Sequence, residues 1–332
     1  MKVLITGGAG YIGSTVASAC LDVDLVPVII DDLSTGRREF VDDRVFYQGD
    51  VQDGPLIDRI FSEHPEIGAT IHCAALANVP DSVRDPLRYY RDNVGKSLSL
   101  IDHLLRNGCE RLIFSSSASI YGASEKLEVD EGSPVQPLSP YARTKATCEL
   151  MFEDIASASP LRVLSLRYFN PIGADPHLRT GQHLSATSAV LDRMIQAWLN
   201  DDVFAITGTD YPTRDGSGMR DYVHVWDLAQ AHVLALRQFD EVCTPQERYV
   251  AVNLGTNDGT TVKELVAAFN RVVPTPLAVV EVDRRPGDIA GAYASNKKAL
   301  EVLGWSPRLS LTQGIQDSLE WSEKRKEVLG RV

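Results

Sequence analysis

The sequence predicts an α/β fold, a doubly wound parallel sheet with a smaller mixed α/β lobe on its C-terminal side. Three observations carry that prediction: short apolar runs recur through the first half, a glycine cluster directly follows the first run, and the rhythm loosens beyond residue 168. The runs are Val3 to Thr6, Leu25 to Ile30, Val45 to Tyr47, Thr70 to Cys73, Leu112 to Phe114 and Leu161 to Tyr168. Near-continuous apolar runs, separated by stretches long enough for crossover helices, are what strands covered on both faces require. With 332 residues, 44% of them hydrophobic, the chain can bury one large core and a smaller one. Residues 1–168 are therefore expected to form the first domain. Residues 169–332 form mainly the second, with later segments returning to the first.

After Tyr168 comes a loop-rich stretch containing Asn170-Pro171, Gly173, Pro176 and Gly181, then a helix expected over Ser188 to Leu199 and a strand over Phe204 to Thr207. The turn-rich Tyr211 to Gly218 follows; polar loops of this kind often bind ligands. The charged stretch Glu320 to Lys326 reads as a solvated helix.

A formal charge of −12 and a pI near 5.1 have the wrong sign for an extended nucleic-acid footprint, so anionic ligands must be met by a few local cations. The five cysteines (Cys20, Cys73, Cys109, Cys148, Cys243) are scattered, with no C-x-x-C pair and no histidine at metal-ligand spacing; they read as reduced core thiols, and no metal is expected. Lys2 to Thr6 is strand-like and no long apolar stretch follows it. Neither a secretory leader nor a membrane partner is expected, which makes cytoplasm the expected compartment.

Gly7-Gly8-Ala9-Gly10-Tyr11-Ile12-Gly13 lies between the first strand and the first helix. Glycines there can make a tight turn, admit a pyrophosphate to the backbone, and let helix and sheet approach, which is the Rossmann-type dinucleotide site. Asp31 ends the second run, where a carboxylate accepts hydrogen bonds from an adenosine ribose diol and repels a 2′-phosphate, so NAD is the expected cofactor rather than NADP. Asp32 is a neighbouring candidate for that role, while Arg37 and Arg38 are close enough to hold a phosphate.

Ser139-Pro140-Tyr141 resembles a helix start, with serine as cap and proline in the first turn, so Tyr141 and Lys145 fall one turn apart on one face. A free tyrosine has a pKa of about 10, so a phenolate base near neutral pH needs a positive neighbour, either Lys145 or an oxidised nicotinamide ring. With 11 tyrosines in the chain the spacing alone is weak. Its position is stronger evidence, because it follows Phe114 to Gly122, which places the hydroxyls of Ser115, Ser116 and Ser117 at the carboxyl end of the sheet, where ligands bind. His72, His224 and His232 read as satisfied core histidines.

Together these features resemble the extended short-chain dehydrogenase/reductase family, and Asp210 to Val225 resembles the UDP-glucose 4-epimerases within it. Further matching blocks are Thr6 to Ser14, Phe114 to Gly122, Arg167 to Pro171, Asn253 to Gly255 and Arg284 to Asp288. The resemblance implies Ser117, Tyr141 and Lys145 as catalytic residues. It assigns to NAD the residues Gly7, Gly10, Tyr11, Ile12, Gly13, Asp31, Asp50, Val51, Ala74, Asn93, Ser115, Tyr141, Lys145 and Tyr168. To a UDP-hexose it assigns Ser117, Asn170, Arg220, Arg285, Asp288 and Ala292. A homodimer is implied as well.

The sequence also departs from the family pattern. Ala77 stands where many epimerases carry a lysine near the cofactor pyrophosphate, and Ser185 to Asp192 lacks the usual pair and proline around the uracil. Ala292 occupies a gate position that is tyrosine in some members, leaving room for N-acetylated sugars. Rival readings are a nucleotide-sugar dehydratase or decarboxylase, an epimerase of another nucleotide sugar, and a non-catalytic NAD-sensing protein. Dehydratases would need an Asp-Glu pair where Ser117-Ala118-Ser119 stands, and a sensor that lost chemistry predicts a broken tyrosine or lysine, whereas both are present.

Overall fold

The computed structural model describes residues 1–122, 127–183, 189–284 and 289–330. Seven strands form the main sheet: β1 (Lys2–Thr6), β2 (Val26–Asp31), β3 (Val45–Gln48), β4 (Ile67–His72), β5 (Arg111–Ser117), β6 (Arg162–Tyr168) and β7 (Tyr249–Leu254). Their order is β7-β6-β5-β4-β1-β2-β3, and every pair is parallel. The order reverses between β1 and β4, so a crevice opens there beyond the carboxyl ends of the strands. Val3, Leu4 and Ile5 are fully buried because helices cover both faces, which explains why β1 reads as one apolar run.

Six strands lie where the sequence pattern places them, but β7 carries no such signal. In Tyr249–Leu254 only Val250, Val252, Asn253 and Leu254 are buried, because this strand is at the sheet's edge. This strand joins the main sheet from the second half of the chain, and the helix Val225–Arg237 packs against the helix Tyr11–Leu21.

One core lies between those two helices and the sheet, around Val16, Ile29, Leu166 and Leu228; the opposite face buries Leu4, Ile57, Leu100 and Phe152. The second lobe has its own core of Leu191, Met194, Phe204, Leu265, Phe269 and Ile315. Its helix Val190–Leu199 and strand Phe204–Thr207 match the expected elements closely. The C-terminal helix Leu311–Val328 is not solvated throughout. Trp321 is 2% exposed, packs beside the Phe40 ring, and donates its indole N–H to the Gln182 carbonyl at 2.8 Å, so one face of the charged stretch is core.

All five cysteines are free thiols, and only Cys73 is not fully buried. Among the described residues no helix is long and apolar enough to cross a membrane.

Candidate active site

The glycine loop forms a cradle at the crevice. Gly7 takes a left-handed φ of +68°, and a Cβ on it would lie 2.6 Å from the Ala74 nitrogen; a Cβ on Gly13 would lie 2.3 Å from the Gly7 carbonyl oxygen. The helix Tyr11–Leu21 starts at Gly10 with no side-chain cap and no acidic residue in its first turn. Its leading amides and its dipole are thereby left for an anionic ligand, and this cradle fits the pyrophosphate of a dinucleotide. Tyr11 contributes through its backbone, since its hydroxyl donates to the Gly173 carbonyl at 2.7 Å and ties the cradle to the second lobe. Ile12 packs against the core.

Asp31 ends β2 with its carboxylate buried. One oxygen accepts the Ala9 N–H at 3.0 Å and the other the Leu33 N–H at 2.8 Å. Burial pushes its pKa up against those two bonds. Asp32 points outward and accepts from the Ser34 N–H, which leaves Asp31 as the carboxylate in the crevice. Arg38 is occupied by Asp42 and the Phe46 ring. Arg37 holds its Nε buried without a hydrogen-bond partner.

Asp50 is paired with Lys96 at 2.6 Å, a cation that the sequence reading missed because its partner is distant in sequence. Val51 is buried beside it. Asn93 lies in a π-helical turn, a form common at functional sites, and is 2% exposed. Its side chain accepts from the Leu76 N–H (2.8 Å) and donates to the Leu76 carbonyl and the Thr144 hydroxyl (3.0 Å each), so it braces the loop carrying Ala74 and Ala77. Ser115 is buried below the crevice, 3.0 Å from Cys73 Sγ and 3.3 Å from His232 Nε2, and Tyr168 packs edge-on against His232.

At the carboxyl end of β5, Ser117 turns into the short 3₁₀ segment Ala118–Tyr121. Its hydroxyl caps that turn through the Ser119 N–H (3.2 Å) and lies 2.9 Å from Ser119 Oγ. Ser139 caps the helix Pro140–Ala158 through the Ala142 N–H, as expected, and that helix presents Tyr141 and Lys145 on one face. Lys145 Nζ donates to the Ser115 carbonyl at 2.8 Å and sits 4.7 Å from the Phe114 ring centroid.

Electrostatics differ from the simplest expectation. Burial pushes the Tyr141 phenol above its ordinary value, opposed only by the Ser117 hydroxyl, and burial pushes Lys145 down. Both groups are desolvated, and desolvation favours the neutral form of each. The protein alone therefore holds Tyr141 as a phenol.

In the second lobe, Asn170 begins the strand Asn170–Ile172, which pairs with Tyr222–His224. Between the lobes lies a pocket lined by Tyr11, Asn170, Leu191, Gln196, Tyr222 and Trp321, among others. Arg220 Nη1 donates to the Met219 and Ala290 carbonyls at 2.6 and 3.4 Å, and among the described residues it has no carboxylate partner. Ala292 is buried beside Ala118, Ile120 and Tyr121, at the Ser117 end of the crevice. Arg285, Asp288 and residues 185–188 of the altered base segment lie outside the described residues.

Asp221, between Arg220 and Tyr222, is a residue to which motif reading gave no role. It accepts from the Thr256 N–H and hydroxyl and from the Ala294 N–H, stapling the Arg220 strand to the loop after β7 and to the Ala292 segment. The histidines are satisfied: His72 contacts Thr6 and Ser97, His224 contacts Asp317, and His232 contacts the Leu228 carbonyl.

The chain belongs to the NAD dependent epimerase/dehydratase family, whose model matches residues 3–255. Within it, the chain is similar to the UDP-glucose 4-epimerase of Azospirillum brasilense, 40% identical over all of this chain and 94% of that protein. The UDP-glucose 4-epimerase of Rhizobium meliloti (strain 1021) is 39% identical, with 98% of each chain covered. Among solved structures, the UDP-glucose-4-epimerase of Stenotrophomonas maltophila, with bound NAD and formylated UDP-arabinopyranose, superposes with a TM-score of 0.93 at 36% identity, covering 98% of this chain and 99% of that one.

Proposed function

We propose that this chain is a UDP-glucose 4-epimerase, an NAD-dependent isomerase that interconverts UDP-galactose and UDP-glucose. The observation that carries the reading is one crevice that brings together the glycine cradle with Asp31, the Ser117, Tyr141 and Lys145 cluster, and an arginine of the second lobe that has no carboxylate partner among the described residues. Bound NAD supplies a reversible hydride acceptor for C4 of the sugar.

Tyr141 takes the proton from the sugar's 4-hydroxyl and later returns it, which requires its phenolate to be favoured at that moment. Ser117 orients that hydroxyl, and Lys145 tunes Tyr141 from one helical turn away. Arg220 grips the diphosphate in the fork geometry suited to phosphate oxygens, and Asn170 donates to it. Held by its UDP portion, the 4-keto sugar turns over within the site before the hydrogen returns to the opposite face. Arg285 and Asp288 complete the substrate contacts in this proposal. The remaining residues assigned to NAD act as cradle (Gly7, Gly10, Tyr11, Ile12, Gly13, Ala74), ribose and adenine contacts (Asp31, Asp50, Val51), and support of the nicotinamide end (Asn93, Ser115, Tyr168).

The small Ala292, packed beside Ala118 rather than filling the crevice, supports acceptance of N-acetylhexosamine nucleotides as well. Val83, Leu87, Leu98 and Leu150 are exposed on or beside helices that pack together around Pro140–Ala158, which supports a homodimer formed on that face. Cytoplasm is the proposed compartment, in keeping with five free thiols.

The test is to incubate the protein separately with UDP-galactose, UDP-N-acetylgalactosamine and dTDP-galactose, with and without added NAD, and to resolve the products. Conversion of UDP-galactose to UDP-glucose is expected, and conversion of none of the three would overturn the proposal.

A further inference from the structure

Directly behind Ser117 and Lys145 lies a buried polar network that neither binds substrate nor belongs to the cradle. In register across three strands stand Ser116 on β5, Arg167 on β6 and Asn253 on β7, one row below the Ser117, Tyr168 and Leu254 row at the sheet's carboxyl edge. Arg167 makes a bidentate pair with Glu149 at 2.6 and 3.0 Å, with side-chain exposures of 8% and 7%. The Ser116 hydroxyl donates to the same carboxylate at 2.5 Å. The other end of the guanidinium donates to the Tyr121 hydroxyl at 2.9 Å, and that hydroxyl donates to Asn253 Oδ1 at 2.7 Å.

Each member touches something that holds a proposed catalytic group. Tyr121 closes the 3₁₀ turn that Ser117 begins and caps. Ser116 is flanked by Ser115, whose carbonyl accepts from Lys145, and by Ser117 itself. Glu149 is one helical turn beyond Lys145 on the same helix. A buried ion pair is a poor device for stability, because well-packed apolar residues of similar volume are often equal or better. What such a pair does supply is fixed geometry and a directed field in a region of low dielectric.

We infer that Glu149 and Arg167, with Ser116 and Tyr121 as their contacts, are positioning residues for the epimerase reaction, fixing the Ser117 turn and keeping a compensating carboxylate behind Lys145. The inference rests on the function proposed above. The charged and titratable groups around Lys145 are His72 at the end of β4, Cys73 just beyond it, and Tyr141, Cys148 and Glu149 on its own helix. Of these, Glu149 is the carboxylate that opposes the desolvation of the ammonium, and Arg167 holds it in place.

The test begins with turnover of UDP-galactose by the unaltered protein, which decides the function proposed above by itself. The charge-free double variant Glu149→Leu with Arg167→Met should keep its melting temperature, since both charges leave together. Its kcat should fall about tenfold or more with KM for UDP-galactose little changed, because misplaced groups cost rate rather than binding. A folded double variant with unaltered kcat would overturn the inference. Should that variant not fold, Tyr121→Phe removes one hydroxyl; a fall in kcat at constant KM supports the positioning role, and unaltered kcat overturns it. Independently of activity, the Lys145 ammonium is titrated by NMR in lysine labelled with ¹³C at Cε, assigned through Lys145→Arg. In Glu149→Gln its midpoint should move to lower pH. An unmoved midpoint would overturn the electrostatic half of the inference even if the protein proved to act on another substrate.

Discussion

Asp221 offers the sharpest test of how the substrate lobe is held together. Its carboxyl group is pushed up from an ordinary 3.8 to about 6, chiefly by burial, with the Ala294 and Thr256 bonds pulling the other way and Asp258 adding to the rise. A Cβ on Gly255 would lie 2.5 Å from its Oδ2, so the loop after β7 closes tightly over the group. Because the folded value lies above the unfolded one, between about pH 4 and 6 the folded chain holds a proton that the unfolded chain releases. Stability contributed at this site is therefore present at low pH and lost as pH rises through 6, the reverse of a salt-bridged aspartate. A rise of roughly two pH units at about 1.4 kcal/mol each gives a loss of about 3 kcal/mol. Asp221→Asn carries no charge at any pH and gives up one acceptor toward Ala294, at a cost of about 1–3 kcal/mol. In urea unfolding from pH 4 to 7, the stability of Asp221→Asn relative to the unaltered chain should climb by about 2.4 kcal/mol, most of that loss, since contributions from all other groups cancel. A difference that stays flat with pH, or falls, would refute the reading of Asp221 as a desolvated carboxylate.

Three further outcomes are expected. Tyr141→Phe should lower kcat by about 10²–10⁴-fold while NAD binding, followed by titration calorimetry, is unchanged; substantial residual epimerisation would sink the proton-transfer role. Gly13→Ala places a Cβ 2.3 Å from the Gly7 carbonyl oxygen, and with both partners backbone the loop must shift, so NAD affinity should collapse although circular dichroism keeps the α/β signature. Ala292→Tyr brings a ring to the cluster of Ala118, Ile120 and Tyr121, and the ratio of kcat/KM for UDP-N-acetylgalactosamine over UDP-galactose should drop; an unchanged ratio would remove Ala292 as a gate.

What could be read in the sequence was what local chemistry alone decides. Gly7 to Gly13, Asp31 and the Ser139-Pro140 helix start depend on turn geometry, a strand end and a cap, and each is found where its spacing implies. The edge strand β7 escaped because burial on fewer sides removes the apolar run that marks a central strand. Lys96, Glu149 and Asp221 escaped for another reason. Each matters through a partner distant in sequence, at Asp50, Arg167 and Thr256, and no periodicity within one segment encodes such a pairing. The likeness to known epimerases supplied proposed substrate residues that spacing could not, including Arg220, whose Nη1 donates only to backbone carbonyls among the described residues.

The two shifted groups at the centre also constrain when chemistry can occur. Expecting Lys145 to depress Tyr141 assumed a solvated pair, in which an ammonium one turn away dominates. In the folded chain both side chains are buried, and Lys145 is directed to the Ser115 carbonyl, so desolvation decides the resting state and favours the phenol. In the role proposed for it, Tyr141 becomes a base only when further positive charge enters the crevice, which would tie proton abstraction to a loaded cradle. An empty site holds no standing phenolate in its apolar surroundings.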